Sequence, residues 1–181
     1  TDEYGGSLEN RLRFAKEIVE AIKAKCGKEF PVSVRYSVRS YVKDFNRGAL
    51  PWEEFEAKGR DLEEGIQVAK MLESFGYDML DCDNGSYDSW FWPHPPMYMP
   101  KACNLKDVQE VKKAVNIPVV CAGRFDDPEL AEQAIEEGKI DIMGMGRPLL
   151  ADPELGHKFY EGRLEDVRPC ISCHQGCLGR I

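Results

Sequence analysis

The fold of this chain is decided by the stretch Ile140-Asp-Ile-Met-Gly-Met-Gly-Arg-Pro-Leu-Leu-Ala-Asp-Pro153. Its pattern predicts a short buried strand, then a glycine and an arginine, then the start of a helix. Gly144 and Gly146 leave the backbone at the carboxyl end of the strand bare enough for a ligand to approach its amides. Arg147 adds a rigid fork of hydrogen-bond donors at the same place.

The same ending occurs one strand earlier, in Ile117-Pro-Val-Val-Cys-Ala-Gly-Arg124. Parallel strands joined by a helix place their carboxyl ends side by side, so Gly123 and Arg124 are expected next to Gly146 and Arg147. Phosphate is the ligand that backbone amides and two guanidiniums suit best, and the paired endings therefore predict a phosphate cradle. The alternative is that both glycines make tight turns and both arginines pair with surface carboxylates.

The bulk properties indicate a globular chain with length for one domain. Its 181 residues are 43% hydrophobic and 10% aromatic, which is enough for a substantial core. No apolar run approaches about 18 residues and no basic region precedes one, so neither a membrane span nor a signal segment is predicted. The net charge of -8 argues against a nucleic-acid or anionic-membrane surface. Because the first residue is Thr1, an internal fragment is one interpretation.

Strand-like and helix-like segments alternate along the chain after a first helix. Short apolar strands that alternate with helices predict an α/β fold with a parallel sheet and helices outside it. No Gly-x-Gly-x-x-Gly follows any strand, so a barrel or half of one is favoured over a dinucleotide-binding unit. The predicted strands start at Pro31, Tyr77, Ile117 and Ile140, and the predicted helices start near Ser7, Asp61, Leu105, Asp127 and Asp152.

Further candidate residues fall at the carboxyl ends of the strands, where parallel sheets bind their ligands. Arg35 lies on the polar face of Pro31-Val-Ser-Val-Arg-Tyr-Ser37, although a strand arginine more often pairs with a neighbouring acid. Residues 83–100, rich in aromatics and prolines, predict either a wall for a bulky apolar substrate or a proline-stiffened packing loop. His94 is a candidate proton donor or oxygen-binding residue, while a lone histidine is more often structural. Residues 38–60 predict an excursion at one end of the sheet.

Three of the seven cysteines lie close together near one end of the chain, in Arg168-Pro-Cys-Ile-Ser-Cys-His-Gln-Gly-Cys177. The Cys-x2-Cys-x3-Cys spacing lets three thiolates converge, which favours an iron-sulfur cluster over zinc, with a metal-free segment least favoured. His174 could complete a zinc site only in a strained arrangement. The other cysteines stand alone, which indicates a reducing cytoplasm and no disulfide framework. The predicted metal ligands are Cys170, Cys173 and Cys177.

Several of these motifs together carry a family resemblance. They are Asp2-Glu-Tyr-Gly-Gly-Ser-Leu-Glu-Asn-Arg-Leu-Arg-Phe14, Arg35 in its strand, Ala122-Gly-Arg124, Met145-Gly-Arg-Pro148 with Ala151-Asp-Pro153, and the three cysteines. From end to end, the chain resembles the old yellow enzyme superfamily, in particular its iron-sulfur branch of 2,4-dienoyl-CoA reductases and clostridial enoate reductases. The loop Asp88-Ser-Trp-Phe-Trp-Pro-His-Pro-Pro96 looks most like the bile-acid-inducible, NADH-dependent steroid enoate reductases of anaerobic gut bacteria.

The resemblance implies a fold and a set of cofactors. Residues 1–164 would be the C-terminal half of an FMN-binding TIM barrel, strands five to eight of a (β/α)8 fold, and residues 165–181 the start of an iron-sulfur segment. Arg35 would contact the FMN ring system. The cysteines would be three of four ligands to a 4Fe-4S cluster, the fourth lying about a dozen residues beyond Ile181. A module for FAD and NAD(P)H would follow. The residues expected to hold the FMN phosphate are Gly123, Arg124, Gly146 and Arg147.

The resemblance also implies a reaction, NAD(P)H-dependent reduction of the C=C bond of an enoate, an enoyl-CoA or a steroid enone. Electrons would pass through FAD and the cluster to FMN, which delivers hydride to the β-carbon. The family's tyrosine proton donor lies on the other half of the barrel. Its companion histidine stands in a Trp-His-Glu setting, where this chain has Tyr87-Asp88-Ser89 and offers only His94 further on.

Two alternatives accompany this prediction. An amine dehydrogenase relative would share the flavin, the cluster and the barrel. A half-barrel without catalytic activity would act only by association, with a partner half or with itself, through its two open strand edges. The predicted partner of the whole enzyme is a small-molecule substrate, and the isolated piece would be inactive.

Overall fold

The structure, a computed structural model, describes residues 2–180. A four-stranded parallel sheet is covered on one side by helices, and a small antiparallel hairpin lies beside it. Short 3₁₀ turns cover Tyr87–Ser89, Leu164–Asp166 and Leu178–Arg180. The helices are α1 (Leu8–Cys26), α2 (Leu62–Phe75), α3 (Leu105–Lys112), α4 (Pro128–Glu136), α5 (Arg147–Ala151) and α6 (Leu155–Tyr160); the strands are β1 (Ser33–Ser37), β2 (Val42–Asp44), β3 (Arg47–Gly48), β4 (Met79–Asp83), β5 (Val119–Ala122) and β6 (Ile142–Gly144).

The sheet runs in the order β1-β4-β5-β6, with each neighbouring pair parallel. Helices α2, α3 and α4 connect successive strands of this sheet, so the predicted α/β fold with a parallel sheet is confirmed. The carboxyl ends of all four strands share one edge. The excursion predicted over residues 38–60 contains the β2-β3 hairpin, which the sequence pattern did not reveal.

The helix starts follow the predicted capping pattern. Ser7, Asp61 and Asp127 each accept a hydrogen bond from the backbone amide three residues on, at 3.3, 2.9 and 3.4 Å. These oxygens satisfy amides that have no partner inside the helix. Gly76 ends α2 in the left-handed region with φ 103°, which a glycine adopts without a steric penalty. The predicted boundaries of α1, α2 and α4 are therefore explained by local chemistry.

The predicted strand of the 140–153 stretch is shorter and more exposed than expected. Strand β6 covers Ile142–Gly144, and the Ile142 side chain is 43% exposed. In the described part of the chain β6 pairs only with β5, so its other edge and one face have no covering element. The prediction of a buried strand is wrong for this reason.

The helix predicted at Asp152 begins later than expected, although Asp152 Oδ1 accepts a hydrogen bond from the Glu154 amide at 3.2 Å, as a capping carboxylate does. Asp152 follows the end of α5, and α6 begins only at Leu155. The buried Asp152 carboxylate binds the Lys158 ammonium at 2.7 Å and the backbone amide of Arg168 at 2.9 Å. The carboxylate therefore anchors the chain that leads into the cysteine segment, residues 168–177.

The main core lies between the sheet and its helices. Side chains of alternate strand residues point into it and are fully buried, and each buried aliphatic side chain contributes about 1.5–3 kcal/mol. No helix among residues 2–180 has the length and apolar character needed to cross a bilayer. The fully buried members of this core include Val19, Val68, Leu80, Cys82, Val108, Val111, Val119 and Cys121.

A second, smaller core fixes residues 83–100 on the hairpin. The Trp92 indole stacks on the Tyr41 ring with centroids 3.7 Å apart and donates its N–H to the Ala49 carbonyl at 2.8 Å. Met99 is buried in the same cluster. Trp92 and Met99 therefore pack as core residues, whereas Tyr98 is 58% exposed. The segment is at once a packing loop and a source of exposed aromatic surface.

Candidate functional site

A cavity of about 530 Å³ opens at the carboxyl edge of the sheet. Its size lies within the usual range of small-molecule and cofactor sites. The five residues predicted to bind a cofactor and the predicted catalytic histidine all line it, together with Asp81, Asp126 and Cys170. These predicted residues come from four separate segments and are Arg35, His94, Gly123, Arg124, Gly146 and Arg147.

The glycines of the two Gly-Arg endings are required for different reasons. Gly123 has φ 119° and Arg124 has φ 48°, so the chain turns sharply at the end of β5. A Cβ on Gly123 would collide with the Asn104 amide, which itself donates to the Ala122 carbonyl at 2.7 Å. Around Gly146, by contrast, no described atom lies within 4 Å of the position of a Cβ. Packing explains Gly123, whereas Gly146 leaves open space in the cavity.

The guanidiniums of both endings are held by one segment of backbone. Arg124 donates to the carbonyls of Met97, at 2.7 Å, and Met99. Arg147 donates to the Pro95 carbonyl at 2.9 Å. Both arginines therefore lie at the same rim. The two guanidiniums do not lie on opposite sides of the sheet. They also do not pair with surface carboxylates, as the alternative interpretation of the sequence expects.

Arg35 points from β1 toward the cavity and pairs with Asp83 on the neighbouring strand. Its Nε donates to Asp83 Oδ2 at 3.1 Å, and a second guanidinium nitrogen contacts the same oxygen. Burial raises the pKa of Asp83, and the Arg35 charge opposes that shift. The Arg35 side chain remains 53% exposed, so pairing with the acid leaves part of the guanidinium free to meet a ligand.

Several polar atoms around the cavity have no protein partner. Within residues 2–180, Asp81 Oδ1, Asp126 Oδ1 and Arg124 Nε are buried and form no hydrogen bond. Burial raises the pKa of Asp81, with Arg35 acting in the opposite direction. Buried polar groups in native proteins are normally paired, and unpaired groups around a cavity indicate a polar ligand or ordered water. The unpaired carboxylate oxygens suit the donors of a polar ligand, and the guanidiniums suit its anionic group, so the cavity fits a cofactor with both features, such as FMN.

His94 lies at the mouth of the cavity in a stack of aromatic rings. Its ring is 4.5 Å from the Trp90 ring, and the Trp90 ring is 5.2 Å from that of Tyr87, all measured between centroids. Burial lowers the pKa of His94, and Arg147 and Arg35 lower it further. The imidazole is therefore neutral at pH 7, with one ring N–H to donate.

The cysteines of the cysteine segment are free thiols, and Cys170 lines the cavity while Cys173 is exposed. The described residues contain no group of three or more His, Cys, Asp or Glu side chains arranged to hold a metal ion. The predicted cluster therefore remains a prediction. The zinc alternative that involves His174 loses support, because His174 Nε2 lies 2.7 Å from Arg147 Nη1.

Sequence reasoning did not single out the acidic residues of the cavity. Asp81 and Asp83 lie two apart on β4, so both point away from the helices, and Asp126 follows the Gly123-Arg124 turn. Two carboxylates at alternate positions in an otherwise apolar strand would have predicted a polar face at its carboxyl end. The sequence suggests His174 only as a metal ligand, and no sequence pattern predicts its contact with Arg147.

Known proteins share both the sequence and the fold of this chain. The sequence matches the NADH:flavin oxidoreductase / NADH oxidase family over residues 1–166. It is 57% identical over 181 residues to a cinnamate reductase of Clostridium sporogenes, covering all of this chain and 27% of that protein. The chain thus spans about a quarter of the length of this curated relative.

Two solved structures show the same fold. A 2-naphthoyl-CoA reductase in complex with 2-naphthoyl-CoA superposes with a TM-score of 0.83 at 35% identity, over 98% of this chain and 25% of that one. An old yellow enzyme homologue from Zymomonas mobilis superposes with a TM-score of 0.60 at 28% identity, over 89% of this chain and 39% of that one. These matches confirm the resemblance to the old yellow enzyme superfamily, and the chain belongs to the NADH:flavin oxidoreductase / NADH oxidase family.

Proposed function

We propose that this chain is the C-terminal half of an FMN-binding (β/α)8 barrel. The protein to which it belongs would reduce the C=C bond of an enoate, an enoyl-CoA or a steroid enone with electrons from NAD(P)H. The observation that carries the proposal is that two glycine-arginine strand ends and Arg35 line one cavity. The 57% identity to a cinnamate reductase supports the class of substrate.

The residues present fit FMN at both ends of the cofactor. Arg124 and Arg147 would neutralise its phosphate beside the backbone of Gly123 and Gly146, and Arg35 would face the ring system. When bound, FMN would supply the two-electron chemistry that reduction of a C=C bond needs. The partly enclosed cavity would exclude water from these contacts, which strengthens the attraction between guanidinium and phosphate.

The aromatic side of the cavity would receive the substrate. The Tyr87 and Trp90 rings stack on each other, and Trp90 contacts the tilted ring of His94, which lines the cavity, so the three rings would form an aromatic wall beside it. An apolar or aromatic acyl group would pack on this wall, which removes apolar surface from water. His94 would donate its ring N–H to the substrate carbonyl oxygen and so polarise the conjugated double bond. The proton for the α-carbon is expected from a tyrosine on the other half of the barrel.

The cysteine segment would belong to a separate iron-sulfur region that begins at residue 165. The donor chemistry fits a 4Fe-4S cluster, because Cys170, Cys173 and Cys177 are free thiols in a short segment. FAD and NAD(P)H would be bound by a following module. The alternative of an amine dehydrogenase shares these cofactors, so the substrate has to separate the two.

Flavin content of the full-length protein tests the cradle. Replacing both arginines, Arg124→Ala with Arg147→Ala, should weaken FMN binding at least about 100-fold, because two charge-assisted contacts are removed. The flavin released by denaturation is measured against protein concentration. Arg47→Ala is the matched control, since Arg47 lies on the hairpin with a 67% exposed side chain. Unchanged flavin content in the double variant would contradict the proposal.

Turnover under anaerobic conditions tests the reaction. The full-length protein with NADH is offered cinnamate, an enoyl-CoA thioester and a steroid enone, and saturation of the double bond is followed by mass. Reduction of at least one of them is the expected result. Oxidation of a secondary amine without reduction of any enone would favour the amine dehydrogenase alternative, and a colourless protein without turnover would favour the inert half-barrel.

A further inference from the structure

His174 joins the cysteine segment to one of the cradle arginines. Arg147 Nη1 lies 2.7 Å from His174 Nε2 and 2.9 Å from the Pro95 carbonyl oxygen. A guanidinium carries only donors, so Nε2 must present its lone pair and the ring proton must sit on Nδ1. The backbone of Pro95 and His94 lies beside the same ring. One imidazole therefore contacts the arginine and the proline-rich segment together.

The backbone of the cysteine segment is shaped to make this contact. Ser172 and His174 have φ 54° and 64°, a left-handed conformation that non-glycine residues adopt rarely. Ser172 is also buried and lines the cavity. The segment is tied down upstream, where the Arg168 amide donates to Asp152 at 2.9 Å. Strained backbone conformations are often found at functional sites, so this anchored turn indicates that the direction of the His174 side chain is functionally important.

Arg147 needs such a partner because its side chain is long. An arginine side chain has many rotamers, and a guanidinium that waits for an anion at the surface of a cavity loses freedom when the anion binds. Contacts with Pro95 and His174 restrict Arg147 before any ligand arrives. Its remaining donors can then face the open space beside Gly146.

We propose that His174 is a positioning residue for phosphate recognition. As a neutral imidazole it holds the Arg147 guanidinium at the rim, so the conformation of the cysteine segment sets the affinity of the cavity for the phosphate end of its ligand. This inference rests on the proposed function. It adds a contact through which the conformation of the iron-sulfur region affects ligand binding in the phosphate cradle. Loss of His174 should weaken contacts to the phosphate and leave contacts to the ring system unchanged.

Binding of FMN and of riboflavin to the flavin-free, full-length protein tests the inference. Riboflavin has the ring system but no phosphate, so it reports folding and ring contacts alone. His174→Ala should weaken FMN binding about tenfold and leave riboflavin binding unchanged. His174→Gln, whose amide can accept from Arg147, should restore FMN affinity to within about threefold. His157→Ala is the control, because His157 is exposed on α6.

A double-mutant cycle with Arg147→Ala separates this inference from the proposed function. If His174 acts through Arg147, then His174→Ala should have no further effect on FMN affinity once Arg147 is replaced. The inference would be overturned if the losses of FMN affinity from the two substitutions were additive. It would also be overturned if His174→Ala weakened FMN and riboflavin binding equally, or if FMN were lost only in proportion to the iron and sulfide content of the protein. If Arg147→Ala alone leaves FMN binding unchanged, the proposed cradle fails. If Arg147→Ala weakens binding but His174→Ala does not, only the inference fails.

Discussion

Buried polar groups in two neighbouring regions of this molecule are treated in opposite ways. Between the hairpin and α3, the Tyr41 hydroxyl donates to Asp107 at 2.6 Å and the Asn84 amide donates to the same carboxylate at 3.0 Å. Asn84 also accepts from a backbone amide at 3.1 Å. In the cavity, by contrast, Asp81 and Asp126 each keep a buried oxygen that has no partner within residues 2–180.

The paired polar groups of the first region have a structural role, whereas the unpaired groups of the cavity are available to bind a ligand. The closed network of Tyr41, Asn84 and Asp107 fixes the position of the hairpin and needs nothing from outside the protein. Among residues 2–180, three of the five buried side-chain polar atoms without a partner belong to residues that line the cavity. Unpaired groups of this kind reduce stability, and a polar ligand that pairs with them regains it. The closed network therefore contributes stability, whereas the unpaired groups of the cavity provide a capacity for binding.

The largest effect is expected from opening the closed network. Asp107→Ala would leave the Tyr41 hydroxyl and the Asn84 amide buried without an acceptor, because Asp107 is only 2% exposed. We expect a loss of about 3 kcal/mol in the free energy of unfolding. Urea unfolding of the flavin-free, full-length protein measures it, with exposed Asp44→Asn as the control. A loss below about 1 kcal/mol would show that the network is not closed.

A smaller loss is expected from removing one donor of the same network. Tyr41→Phe keeps the ring that stacks on Trp92 and removes only the hydroxyl, so the expected loss is about 1–2 kcal/mol at pH 7. Burial raises the pKa of Tyr41 above its ordinary value of 10.0, and the Asp107 charge adds to the shift. The folded protein therefore holds the phenol proton more tightly, and wild-type stability falls as the pH rises above about 10. The variant lacks this dependence, so the two proteins should converge in alkaline solution.

Much of this architecture could be predicted because it depends on local chemistry. Capping by Ser7 and Asp61 follows from oxygens near the amides they satisfy, and the meeting of the two glycine-arginine turns follows from the order of parallel strands. The partners of the arginines could not be predicted in this way. Arg147 contacts Pro95, 52 residues earlier in the chain, and such a contact exists only after the segments have packed.

The exposed face of β6 and the role of Asp152 escaped prediction for related reasons. Ile140, Ile142 and Met143 are typical of a buried strand, but burial depends on whether another element covers the face, and a local pattern does not show this. Asp-Pro is a common helix start, and Asp152 Oδ1 does accept from the nearby Glu154 amide, but Oδ2 also binds Lys158 and a later backbone amide. The local contact follows from the sequence spacing, whereas the distant contacts of the same carboxylate exist only after tertiary packing.

The smallest effect, with the opposite sign, is expected in the cavity. Asp81→Asn removes a half-buried charge whose Oδ1 has no partner in the described chain, so the variant should be as stable as the wild type or more stable, by less than about 1 kcal/mol at pH 7. Burial raises the pKa of Asp81 above its ordinary value of 3.8, which means that the folded state binds this proton more tightly than the unfolded chain. The contribution of Asp81 to wild-type stability therefore falls as the pH rises from 3.8 through the folded pKa of this carboxyl group.

The gain of the Asp81→Asn variant should consequently be present at neutral pH and disappear as the pH falls toward 3.8, where the wild-type carboxyl is protonated as well. The midpoints of urea unfolding are measured at several pH values for the flavin-free wild type, Asp81→Asn and Asp107→Ala. They compare the changes in stability that the two substitutions cause. A loss of stability at pH 7 as large as that of Asp107→Ala would mean that the Asp81 carboxylate is already paired inside the protein. The polar groups of the cavity would then form a second closed network, and a ligand would not be needed to pair with them.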